Sequence, residues 1–146
     1  MTRDPILRIA LIVLEDDAGR VAFQLRSDVA GIANPDHWGL FGGHIEPGET
    51  PEAGALREVE EELSVRLDPA KLRPISQPYQ TGLPKDYYSF HYVVADELDH
   101  ARLMEGERWA WLTREQIEAG EVDGKPIVAY HREWLLDFLG PGGVNS

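Results

Sequence analysis

Gly42-Gly43-His44-Ile45-Glu46-Pro47-Gly48-Glu49-Thr50 runs directly into Pro51-Glu52-Ala53-Gly54-Ala55-Leu56-Arg57-Glu58-Val59-Glu60-Glu61-Glu62-Leu63-Ser64-Val65. The second half predicts a helix over Pro51–Leu63. Thr50 is a good N-cap, Pro51 sits where a missing N–H costs nothing, and Glu52 suits the positive helix end. At 3.6 residues per turn Val59, Leu63 and Leu56 share the core side. Glu58, Glu61 and Glu62 fall within a neighbouring arc of about 100°, and Glu60 points elsewhere, toward solvent. Like charges three or four residues apart destabilise a helix by about 0.2–0.5 kcal/mol per pair. Such an arc therefore wants a compensating cation, and an all-oxygen donor set is hard, suited to Mg²⁺, Mn²⁺ or Ca²⁺ and not to zinc.

Charge alone reads as a solvated acidic face. The turn before the helix sharpens the reading. Gly42-Gly43 lets backbone approach a ligand closely, and Pro47-Gly48 makes a tight reversal that aims Glu49 back at the helix. Seven acids and one base lie between Gly43 and Glu62, half of the whole chain's net charge of −12. That balance argues against binding a nucleic acid polymer or an anionic membrane, both of which reward cationic patches. A small phosphorylated ligand remains compatible, given a cation in the site.

The 146 residues fit one domain over 1–146, with enough apolar content (42%) for a real core. Zero cysteines remove disulfides, thiolate metal sites and cysteine nucleophiles together. The longest apolar run, Ile9–Leu14, is far below the roughly 18 residues of a membrane span. Asp4, Pro5 and Arg8 make the N-terminus a poor signal peptide, so a cytoplasmic protein is expected.

Elsewhere the pattern is mixed. Leu7–Leu14 reads as a strand buried on both faces, paired as a hairpin through Asp16–Gly19 with Val21–Arg26. Ser27–His37 reads as a loop, and Leu72–Tyr79, Tyr87–Ala95 and Arg108–Leu112 as strands. Thr113 and Gln116 form a capping box for a short helix ending near Gly120, and Ile127–Leu139 is amphipathic. The class is α+β, with the acidic helix against a mixed sheet.

From Gly43 the pattern runs five residues to Glu49, seven more to Arg57-Glu58-Val59, then Glu61-Glu62 and Leu63-Ser64-Val65. This 23-residue stretch resembles the signature box of the Nudix hydrolases and matches eight of its nine constrained positions; Ser64 stands where the family has glycine. The resemblance implies an α/β/α sandwich, its mixed sheet flanked by the box helix and the C-terminal helices. It implies metal binding by Glu58, Glu61 and Glu62, with the Gly42 carbonyl as a further ligand and Mg²⁺, or Mn²⁺ in its place, as cofactor. Glu49 and Arg57 resemble the pair that holds the box loop to its helix; a surface pairing of Arg57 with Glu60 or Glu61 is the alternative. A non-glycine residue at Ser64 implies either a different helix end or a cost of about 1–2 kcal/mol.

The activity implied is metal-dependent hydrolysis of a nucleoside diphosphate derivative, such as a nucleotide sugar. Pyrophosphohydrolysis of a canonical or oxidised nucleoside triphosphate is the alternative, and a non-catalytic nucleotide sensor is a third. Candidate catalytic residues are Glu61, Glu62, Glu105, Arg57 and Glu49, with Glu107 second to Glu105 as general base. Candidate substrate contacts are Arg26, Trp38, His44 and Tyr88. For Arg26 an ion pair with Asp28 competes, and for Trp38 core packing competes with stacking on a base. Alternation puts Tyr87 and His91 on one strand face and Tyr88 on the other. The partner expected is a small nucleotide, with a homodimer left open.

Overall fold

A computed structural model describes residues 7–27, 34–75, 85–104 and 106–141. The strands are β1 (Leu7–Glu15), β2 (Val21–Leu25), β3 (Trp38–Gly39) and β4 (Phe41–His44) before helix α1 (Pro51–Leu63). After it come β5 (Arg73–Ile75), β6 (Lys85–Val93), β7 (Arg108–Leu112), α2 (Arg114–Ala119), β8 (Glu121–Val122), β9 (Lys125–Pro126) and α3 (Ala129–Leu139). Thr50 accepts the Ala53 N–H, so α1 begins at its expected cap.

β1 is the spine of the main sheet. It runs parallel to β6 along its whole length, from Leu7 opposite Lys85 to Glu15 opposite Val93. The expected hairpin partner, β2, meets β1 at Glu15 opposite Val21 and then diverges. The wedge between them is filled by the segment that follows: β3 pairs with β2, and β4 pairs with β1 from Ile9 opposite His44 to Ile12 opposite Phe41. The chain thus changes partner at Leu40, and the sheet forks there. β7 closes the outer edge of β2, and β5 lies beyond β6.

Alternation along β1 divides the core into two layers. Ala10, Ile12 and Leu14 face α1, where Ala55, Val59 and Leu63 are buried with Phe41, Phe90 and Tyr92. Leu11 and Val13 face the opposite way, against Phe23, Trp38, Leu40, Ile117, Trp134 and Leu135. Helices therefore cover both faces, giving the expected α/β/α sandwich around a mixed sheet. Among the described residues, no helix is long and apolar enough to cross a membrane.

The last helix starts two residues later than its amphipathic pattern suggests. Ile127 bridges to Trp38, and the Val128 N–H donates to the Trp38 carbonyl at 2.9 Å, so these residues are extended before α3 begins. Strand β5 ends at Ile75; the rest of its expected range lies outside the described residues. Ser64 does what a glycine would do. It holds φ 56° and ψ 37°, and its N–H donates to the Glu60 carbonyl at 2.9 Å. The helix ends in the usual left-handed cap, so the cost of the side chain is carried in full.

Candidate active site

The fork in the sheet brings Gly42 and Gly43 against β1 and beneath α1. Gly42 has φ 147°, and a Cβ there would lie 2.0 Å from the Ala10 carbonyl oxygen, so only glycine fits. A Cβ on Gly43 would lie 2.5 Å from the carboxyl carbon of Glu58. The two glycines thus let one side of β4 lie flat on β1 and the other receive a carboxylate.

Arg57 organises the charges above them. Its Nε donates to Glu49 Oε2 at 2.7 Å and its Nη2 to Glu49 Oε1 at 2.9 Å, a two-pronged pair. Nη2 also donates to the His44 carbonyl, and Nη1 donates to Glu58 Oε1 at 3.1 Å and Glu61 Oε1 at 3.0 Å. The Arg57 hydrogen bonds and the Glu46 N–H hold the Glu49 carboxyl down at about 2, while the Glu49 carboxylate pushes Arg57 further up. Glu60 takes no part, pairing instead with Arg66 at 3.0 Å.

Glu62 differs from its neighbours. It is only 3% exposed, and its Oε1 accepts the Gly42 N–H at 3.2 Å while Oε2 accepts from the Gln24 amide at 2.6 Å. Its carbonyl accepts the Met104 N–H at 2.8 Å, which ties Met104 to the end of α1.

These groups line one open depression of about 580 Å³, whose wall includes Arg26, His44, Glu58, Glu61, Glu62 and Gly106. As placed, no three carboxylate or imidazole groups among the described residues stand close enough together to grip an ion. Arg57 draws Glu58 and Glu61 to itself, and Glu62 turns to Gln24 and Gly42. The donor set still fits a hard divalent cation: three carboxylates face one depression, and the missing Cβ of Gly43 leaves room for Glu58.

A second, smaller depression of about 200 Å³ adjoins the first through Arg26 and Gly42–His44. Ile9, Leu11, Leu40, Tyr87, Tyr130 and His131 form its walls. Asn34 donates to the Tyr130 hydroxyl at 2.7 Å beside it. His131 is buried, accepts the Leu40 N–H on Nδ1 at 3.2 Å, and is pushed down to about 3 by burial and by Arg26. It is a neutral imidazole. Acids line the first depression, and among the described residues none lines the second, to which Arg26 contributes a charge at the shared wall.

Two expected substrate contacts do not hold their places. Trp38 is fully buried, its Nε1 donating to the Val122 carbonyl at 3.0 Å, so core packing replaces stacking on a base. Tyr88 lies opposite Ala10 on the α1 side of the sheet and lines a separate depression with Pro51, Glu52 and Pro74. Its neighbour Tyr87, one step along the strand, borders that depression too but also lines the smaller one, which Tyr88 does not. Arg26 and His44 do line the acidic depression; Asp28, the alternative partner of Arg26, lies outside the described residues. Glu105 also lies outside them, and Glu107 is exposed with its N–H on the Leu25 carbonyl at 2.9 Å. Gln24, Tyr130 and Asn34 escaped notice in the sequence. Only Gln24 carried a signal there, an amide in the otherwise apolar run Val21-Ala22-Phe23-Gln24-Leu25.

A family model described as the NUDIX domain matches residues 5–136. A nucleoside triphosphatase, NudI, from an Enterobacter species is 30% identical over 113 residues, covering 70% of this chain and 79% of that protein. An 8-oxo-dGTP diphosphatase from Haemophilus influenzae is 24% identical, covering 87% of this chain and 90% of its own. Among solved structures, a MutT protein from Methanosarcina mazei superposes with a TM-score of 0.65 at 22% identity, covering 92% of this chain and 93% of the other.

Proposed function

The chain belongs to the Nudix family of hydrolases, and from that premise we propose that it cuts nucleoside triphosphates to a nucleoside monophosphate and pyrophosphate. The observation that carries this reading is the pair of adjoining depressions, one lined by acids and one largely by apolar and aromatic residues, joined at Arg26 and Gly42–His44. A triphosphate chain needs a cation among acids, and a planar base needs neutral, apolar walls. The smaller depression suits one ring system. The relatives named a nucleoside triphosphatase and an 8-oxo-dGTP diphosphatase support a triphosphate ahead of the nucleotide sugar. The nucleotide-sugar reading comes second, supported by the width of the acidic depression.

Family members generally use divalent ions, and Mg²⁺ is the ion proposed for this one. Glu58, Glu61 and Glu62 would hold it, with the Gly42 carbonyl beside them. When bound, such an ion neutralises phosphate oxygens and lowers the pKa of water. The chain's own residues supply the rest. Arg57 and Glu49 keep the box loop on α1 and hold Glu58 and Glu61 toward the depression. Arg26 offers its cationic head, and His44 its ring, to the phosphate chain. A carboxylate from the 104–107 segment, Glu105 before Glu107, or one of the box glutamates takes the proton from the attacking water. That water's oxygen bonds to phosphorus, the bridging P–O bond breaks, and pyrophosphate carries off the electron pair.

Mass-spectrometric product identification tests this across canonical and oxidised triphosphates, nucleotide sugars and dinucleoside polyphosphates, with Mg²⁺ and with chelator. Monophosphate plus pyrophosphate, lost with chelator, is the expected result. Monophosphate plus a sugar phosphate would move the assignment to nucleotide sugars. Binding without turnover would make the protein a nucleotide sensor.

A further inference from the structure

Burying an uncharged amide in the middle of a strand costs free energy unless its hydrogen bonds are made. Gln24 is such a residue. It is 4% exposed, in a strand whose other members are apolar. It sits opposite Gly39 on one side and Trp109 on the other, with its backbone committed to the sheet. The end of its side chain reaches Glu62, 38 residues away, at 2.6 Å. An amide oxygen facing a carboxylate would be repelled, so the group donating there is the NH₂.

The other end of the amide is also enclosed. A Cβ on Gly106 would lie 3.3 Å from Gln24 Oε1 and 2.8 Å from the Leu25 carbonyl oxygen. Gly106 therefore lies directly over Gln24, between Met104, whose N–H donates to the Glu62 carbonyl, and Glu107, whose N–H donates to the Leu25 carbonyl. Between them, Gln24 and the Gly42 N–H take one lone pair from each Glu62 oxygen, while Glu62 still lines the acidic depression.

The chemistry of the donor matters as much as its place. A lysine or arginine at this position would put a full positive charge against Glu62 and compete with a divalent cation for it. A neutral amide fixes the carboxylate's orientation and leaves its charge available. Glu58 and Glu61, by contrast, share Arg57.

We propose that Gln24 is a positioning residue for metal binding: its side-chain amide holds the Glu62 carboxylate in the orientation that a divalent cation requires. This rests on the metal-binding role given to Glu62 above. The test is direct titration of Mn²⁺, without nucleotide, by calorimetry and by electron paramagnetic resonance, on the wild-type chain, Gln24→Met and Gln24→Asn. Methionine keeps the volume and removes the donor; asparagine keeps the amide but falls one methylene short of Glu62. Removing a partner that orients a metal ligand typically weakens metal affinity about 10–100-fold. That loss is expected in both variants, with folding intact by circular dichroism and thermal melting. Gln24→Lys is expected to bind Mn²⁺ more weakly still.

A wild-type midpoint in a folded Gln24→Met or Gln24→Asn overturns the proposal and leaves the metal site standing. If neither variant folds, Gln24 serves the fold alone and the proposal fails. A wild-type chain that binds no Mn²⁺ removes the metal role of Glu62 itself. Mn²⁺ binding with no turnover of any nucleotide would overturn the triphosphatase reading only.

Discussion

The two sides of the sheet handle polar groups in opposite ways. Around α1 the groups are charged and, Glu62 apart, partly exposed and held by other charges: Arg57 alone reaches Glu49, Glu58 and Glu61. Around α3 the interior groups are neutral and held by the backbone or one another, as in His131 with the Leu40 N–H, Trp38 with the Val122 carbonyl, and Asn34 with Tyr130. Ionised groups stay near water because burying a charge is costly. A neutral hydrogen-bonded group is tolerated in the core. The comparison teaches how a chain of net charge −12 handles an anionic nucleotide. On the proposed function, it would gather acids where a cation enters and keep them away from the surface that meets the uncharged part of the ligand.

The largest expected effect comes from Glu62, the ligand candidate buried deepest. Glu62→Gln should reduce divalent-dependent turnover by more than about 100-fold, beyond the loss typical of an orienting partner. Its amide nitrogen must then face the Gly42 N–H or the Gln24 NH₂, so a modest fall in thermal stability accompanies the loss. Normal turnover in a folded variant would break the assignment of the charged side as the reactive one.

Next is Arg57→Lys, which keeps the charge but not the planar fork. One ammonium cannot serve Glu49 through two prongs and also hold Glu58 and Glu61. A fall in kcat of about 10–100-fold is expected, read from steady-state kinetics at saturating metal. Unchanged kinetics would mean that charge alone, without geometry, organises this side.

On the neutral side the effect is on stability. The His131 imidazole is held at about 3 in the folded chain, against about 6.5 when unfolded. Below pH 6.5 the unfolded chain binds a proton that the folded chain refuses. Stability is therefore fully present above 6.5 and lost as pH falls toward 3, at up to about 1.4 kcal/mol per pH unit. His131→Asn, whose Oδ1 can accept the Leu40 N–H in place of Nδ1, should flatten that slope between pH 6.5 and 5 in denaturant titrations. Glu49 loses its stabilising contribution lower down, between the ordinary carboxylate value of 4.5 and about 2. An unchanged slope in His131→Asn would remove the neutral imidazole from the comparison.

The smallest effect is at the end of α1. Ser64→Gly relieves the left-handed strain and should stabilise by about 1 kcal/mol, a few degrees in Tm. No change, or a loss, would show that the Ser64 side chain offsets its own strain.

Much of the charged side was legible because its logic is local. Thr50, Pro51 and Glu52 mark a helix start, and Glu58, Glu61 and Glu62 share an arc whatever the rest of the chain does. The neutral side was not, because it is assembled from distant pieces. Trp38 became a core residue when Val122 and Ile127 came to it from more than 80 positions away. Tyr88 and Tyr87 exchanged expected importance for a similar reason. Alternation says that they face opposite ways, but only the docking of α1 says which side is which. The fork at Leu40 was equally hidden, since no local property of Trp38–His44 reveals that its two halves pair with different strands.

The sequence by itself determined the helix, its cap, its three aligned glutamates, the glycine pair before it and the mixed class of the chain. Each depends on spacings of a few residues, which backbone periodicity converts into direction. Tertiary structure alone decided that Gln24 meets Glu62 and that His131 is buried neutral. It also decided that a second depression opens beside the first. Those contacts join residues from 38 to 91 positions apart, and a separation that long acquires a geometry only when the core has closed around it.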